Sequence, residues 1–168
     1  MAESVHLLFL TSKSFEQGKA IRGASLATDE KTRPIEFRCT SPIRPNNYQR
    51  TLYGDTLDAY IFVDLIGVPL ITATREDIDL VLVDDERLLA VRPTVDVPIV
   101  LLTRSPSGQA GPGAVALKVC PGFENEKSTA QTRLSSLVSQ GTDLLEPFER
   151  VRLALDQAHA QKIGDKSA

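Results

Sequence analysis

Asp79, Asp84, Asp85 and Glu86 are the side chains whose type and spacing could do chemistry, because clustered carboxylates supply the hard oxygen ligands that hold a divalent cation. Asp79, Asp84 and Asp85 would then serve a divalent-metal-dependent hydrolase or a phosphoryl-handling domain. The same acids also suit a solvated turn, where an aspartate bonds its own backbone. On that reading the chain has no catalytic residues, no metal and no cofactor. A second constellation runs through Arg38, Arg44, Asn47, Tyr48, Arg50 and Tyr53, which mixes cations, an amide and aromatics between two turns. Arginine and tyrosine are enriched where proteins grip one another, so this segment reads as a partner-binding surface. It favours a non-catalytic interaction module, a small subunit or adaptor of a cytoplasmic complex, whose partner is another protein or a second copy.

Other chemistries find little support. There is no GxSxG elbow, and neither His6 nor His159 has an evident acid partner in the sequence. Cys39 and Cys120 are the only thiols, without the paired spacing of a zinc site or a disulfide framework. The glycine-rich SGQAGPG follows one strand and precedes another, whereas a phosphate loop opens a helix.

Two family patterns bear on the acidic stretch. The run DLVLVD, followed by DVPIVLLT and AVALKVCP, resembles the phosphoacceptor, hydroxyl and lysine strands of a response-regulator receiver domain. The resemblance implies those roles for Asp84, Thr103 and Lys118. The first strand, HLLFLTSKS, carries none of the paired acids with which a receiver holds magnesium, which would make this at most a degenerate receiver. The stretch is also similar to the core hairpin of PD-(D/E)xK nucleases, but its return strand ends Ala90-Val91-Arg92-Pro93-Thr94, with neither the acid nor the lysine.

The 168 residues are 42% hydrophobic and 24% charged, which fits one globular domain. A net charge of -3 gives the molecule no overall pull toward nucleic acid or an anionic membrane. Residues 1 to 57 carry eight basic and six acidic groups, too mild an excess to demand nucleic acid. No apolar stretch is expected to reach the length of a spanning helix, so a cytoplasmic protein is expected.

These residues must be positioned by a framework centred on Asp79 to Thr103. A strand is expected at 6 to 11, then a loop or helical turn over SKSFEQGK. A hairpin follows across Asp29 to Thr32, with Leu26 opposite Ile35 and Ala24 opposite Phe37. Tyr48, Leu52, Leu57, Ile61 and Leu65 predict an amphipathic helix over 47 to 66, with a strand at 57 to 64 as the other possibility. A second hairpin would turn at Asp84 to Arg87 and pair Val83 with Leu88, Leu82 with Leu89 and Asp79 with Arg92. The two hairpins could be a diverged repeat. Further strands are expected at 98 to 102 and 114 to 119, with a loop at Ser105 to Gly113 between them. Capping residues and apolar stripes then predict two C-terminal helices, the second burying Leu144, Phe148, Val151, Leu155 and Ala158. The predicted fold is α+β: a mixed, largely antiparallel sheet of hairpins covered by a middle helix and two C-terminal helices. The alternative is a three-layer α/β, receiver- or flavodoxin-like sheet. The domain spans 1 to 161, and 162 to 168 form a tail.

Overall fold

The computed structural model describes residues 5 to 104 and 115 to 164. The loop expected at Ser105 to Gly113 and most of the expected tail lie outside the described residues. The chain is a single α+β domain. Its strands are β1 (Leu7–Phe15), β2 (Ala20–Thr28), β3 (Pro34–Cys39), β4 (Leu80–Val83), β5 (Ile99–Arg104) and β6 (Val115–Val119). They form one mixed sheet in the order β3-β2-β1-β4-β5-β6. Three neighbouring pairs are antiparallel, while β1, β4 and β5 run parallel.

Alternation along the central strands assigns each face its cover. Leu8, Leu10, Val81, Val83, Ile99 and Leu101 point to one side. The helical run α1 (Asn47–Ala73) packs there, burying Ile61, Phe62, Ile66 and Leu70. Leu7, Phe9, Leu80, Leu82, Val100 and Leu102 point to the other side. There the C-terminal helices bury Ala130, Leu134, Leu137 and Phe148. Every strand is thus apolar on both faces where it is covered twice, which is why the sequence shows no alternation at these positions.

Several expectations need correction. The first strand does not stop at Thr11 but continues to Phe15, and a tight turn at Glu16–Gly18 sends it into β2. Glu16, Gln17 and Gly18 all adopt positive φ in that turn. The expected β2–β3 hairpin forms with its faces as predicted, but Leu26 sits opposite Phe37 and Ala24 opposite Cys39. The two-residue slip keeps each side chain on its face because the strand period is two. Asp29 causes it by widening the turn: its carboxylate accepts from the Lys31 and Arg33 amides, both at 2.9 Å.

The second hairpin does not form. Asp85 instead caps a short helix, α2 (Glu86–Leu89), by accepting from the Arg87 amide. Leu88, Leu89 and Val91 turn into the core beneath α1 rather than pairing with β4. The chain then returns parallel to β4 as β5, so the suggested repeat is absent.

The middle segment is helical, not a strand, and runs on to Ala73. Gly54, at φ 52, breaks it after Tyr53, and residues Tyr60–Gly67 are wound as a π-helix. By length and composition the whole run could cross a membrane, contrary to expectation, although its middle turns are packed on the sheet. The final helices are α3 (Asn125–Ser139) and α4 (Glu146–Ala160). Gly141 ends α3 at positive φ as predicted, and all five residues of the predicted α4 stripe are buried.

Two glycines let α1 approach so closely. A Cβ at Gly23 would stand 2.2 Å from Ile66 Cγ2, and one at Gly67 would stand 2.3 Å from Val91 Cγ2. Gly23→Ala should therefore cost about 1–3 kcal/mol in denaturant unfolding. Combining it with Ile66→Ala should cost less than the two losses added together.

Candidate functional site

The last helix lies along β1 in matching steps. Two residues of a strand advance about 6.6 Å and four residues of a helix about 6 Å, so alternate β1 side chains meet successive turns of α4. Phe9 meets Phe148 edge-on, with ring centroids 5.3 Å apart. Thr11 donates its hydroxyl to Asp84 Oδ1 at 2.6 Å, and Arg152 donates to the other oxygen of the same carboxylate. Lys13 pairs with Asp156 at 2.5 Å. Phe15 stacks on His159 at 4.1 Å.

At the end of this ladder His159 joins two arginines. Fully buried Arg22 donates Nε–H to His159 Nδ1 at 3.0 Å, and His159 Nε2 lies 3.0 Å from Glu16. Nδ1 must accept, so these partners assign the neutral ring with its proton on Nε2. Glu16 is also forked by Arg44, through Nε at 3.1 Å and a terminal nitrogen at 2.7 Å. His159 does have an acid partner, which the sequence did not reveal because 143 residues separate the two.

Beside the ladder, the carboxyl ends of β4 and β5 open into a cleft of about 670 Å³. This is where parallel sheets ordinarily present ligands. Its charged groups are Asp84, Asp143, Glu146 and Glu149 against Arg104, Arg150 and Arg152. Much of this charge is spent internally. Both Asp84 oxygens are engaged, and Arg150 binds Glu146 as well as the carbonyl and hydroxyl of Thr32. The cleft therefore offers a polar surface whose charges largely hold α4 to the sheet.

The three acids of the hydrolase reading do not meet. Asp79 precedes β4 and accepts from the His6 amide at 2.9 Å, while Asp84 follows the strand's other end. Five strand residues put them roughly 17 Å apart. Asp85 faces Arg87, which donates to it at 2.7 Å. Burial pushes the Asp85 carboxyl up, but the hydrogen bonds and charge of Arg87 outweigh it and hold the group below its ordinary range. Among the described residues no group of three His, Cys, Asp or Glu side chains is placed to hold a metal. Of the receiver-like set, Lys118 lies on an antiparallel strand and pairs with Glu86 rather than Asp84.

The Arg/Tyr segment is divided. Arg38 sits on β3 and donates to Glu36 at 2.5 Å, and Arg44 is held by Glu16. Asn47 opens α1 behind a capping box made by Asn46 and Gln49. Tyr53 packs edge-on against Tyr60, with centroids 4.5 Å apart. Arg50 is exposed. Tyr48 and Leu52, expected on the buried stripe of the helix, are 81% and 82% exposed. Gly54 is the sequence signal for this, since its break separates these two from the packed part of α1.

Comparison with known proteins adds little. No family model and no curated protein matches the chain. A solved structure of Ciona intestinalis endonuclease V, in complex with a 23mer DNA containing an inosine followed by a ribo-adenosine, is similar at 7% identity and a TM-score of 0.37. The match covers 77% of this chain and 57% of that one. At that level of superposition the likeness carries no functional argument.

Two predictions concern the ladder. Arg152→Met should destabilise by about 1–3 kcal/mol because it leaves one oxygen of the part-buried Asp84 carboxylate without its donor. Adding Asp84→Asn should recover part of the loss, as measured by denaturant unfolding. For Glu16, the Arg44 hydrogen bond holds the carboxyl below its ordinary value of 4.5 against the opposing effect of burial, with further help from Arg44 and His159. A lowered carboxyl stabilises the fold above the unfolded pKa and loses that contribution as pH falls through the folded one. The melting-temperature deficit of Arg44→Gln should therefore be largest near neutrality and shrink as pH falls below about 4.5.

Proposed function

We propose that this chain is a non-catalytic interaction module, a small subunit or adaptor, and that its protein partner seats on the first turns of α1. The observation that carries this reading is the pair Tyr48 and Leu52. They stand one helical turn apart on one face, and each is more than four-fifths exposed. Tyrosine is among the residue types enriched at interface anchors, and Leu52 beside it extends the exposed apolar surface. The capping box at Asn46 and Gln49 fixes the helix end that presents them. Arg38 and Arg44, assigned to the same surface from sequence, contribute through internal pairs, so the partner contact narrows to residues 47 to 53. The internal pairing of Asp84 and the distance of Asp79 from it weigh against the hydrolase reading.

The test is affinity capture of a partner from native extract, followed by its identification and titration against purified protein. The double variant Tyr48→Ser, Leu52→Ser should lose that partner, with at least a tenfold weaker Kd, while its melting temperature stays within a degree or two of wild type. Equal binding by the variant would overturn the proposal.

A further inference from the structure

The outer edge of the sheet carries a self-complementary pattern. β3 is the terminal strand, and no described strand pairs with its outer side. Residues on an antiparallel strand aim their backbone groups alternately to one neighbour and the other. Thr40 donates its amide to the Gly23 carbonyl at 2.9 Å, so Thr40, Arg38 and Glu36 spend their backbone groups on β2. The N–H and C=O of Phe37 and Cys39 consequently face outward. The side chains divide in the same way: Glu36 and Arg38 occupy one face, and Ile35 and Phe37 the other, at 43% and 41% exposure.

We propose that the β3 edge pairs with the β3 edge of a second copy, antiparallel and with the two-fold axis at Phe37. In that register the two Phe37 residues exchange both backbone hydrogen bonds, and Ile35 and Cys39 lie opposite one another at each end. Glu36 of each copy falls directly across from Arg38 of the other, in the closely spaced non-hydrogen-bonded pairs where side chains interact most. Moving the axis to Glu36 or to Arg38 would leave the outward-facing backbone groups able to pair but would set Glu36 against Glu36 or Arg38 against Arg38, so among these registers the axis at Phe37 alone satisfies the charges. Arg38 uses only Nε on its own Glu36, which leaves its terminal nitrogens to reach across to the other copy's Glu36, whose carboxylate also accepts from its own Arg75 and Glu76 amides. The bulge between Ala27 and Thr28 leaves Ile35 as the extra residue on β3, at the ends of the paired segment and outside the central three residues. Two six-stranded sheets would become continuous, through an isologous contact that closes on itself and cannot propagate.

This surface is separate from the one on α1, and purified protein alone tests it. Sedimentation velocity of the full chain should show a concentration-dependent dimer. Arg38→Glu, which places glutamate opposite glutamate, and Glu36→Arg, which places arginine opposite arginine, should each be monomeric by themselves. Their mixture should regain the dimer, because each variant's strand complements the other's. Melting curves of each variant confirm that it is folded. A wild type that stays monomeric throughout, a dimer that survives either substitution, or a mixture that does not reassociate would each overturn the proposal. Loss of partner capture by the α1 variant would leave this result unchanged, so the two ideas fail separately.

Discussion

The fold depends on how Asp84 is shared. Its carboxylate takes a hydroxyl hydrogen from Thr11 on β1 with one oxygen and a guanidinium from Arg152 on α4 with the other. It therefore joins two adjacent parallel strands and the helix above them at a single point. A carboxylate with little solvent requires such partners, since burying a charge without them costs several kcal/mol. What looks in sequence like the leading acid of an active site is thus placed to serve as a rivet.

Around that point the α4 ladder grades from apolar to polar along β1. Phe148 is set against Phe9, Arg152 against Thr11 and Asp84, Asp156 against Lys13, and His159 against Phe15 and Arg22. Each rung differs in chemistry, so sliding α4 by one turn would set one charge against a phenyl ring and oppose like charges at another rung, Arg152 to Lys13 in one direction and Asp156 to Asp84 in the other. Hydrophobic burial holds the helix down, and the graded rungs decide where along the strand it rests.

Much of this fold was legible, and the reasons differ by element. Leu144 through Ala158 read as a buried stripe because a helix on a sheet needs one apolar face. The β2–β3 hairpin read correctly in its faces because alternation is local, whereas its register depended on how many residues Asp29 could gather into the turn. The failures lie where local signals conflicted. Leu88 and Leu89 fit a strand as well as a helix, and only the Asp85 cap together with burial against α1 decides between them. Tyr48 and Leu52 share the period of the packed helix, and the break at Gly54 is what removes them from the core. The ladder itself could not be read, because Thr11, Asp84 and Arg152 are separated by intervals that no periodicity records.

The ladder also has a consequence for how the chain is made. Lys13 and Asp156 are 143 residues apart, so the helix that covers β1 leaves the ribosome long after the strand does. At ordinary rates of synthesis that delay is on the order of ten seconds. During it Leu7 and Phe9 lack this lid, and the edge of β1 away from β2 waits for β4 as well. Refolding in vitro should be slow for the same reason of distant pairing.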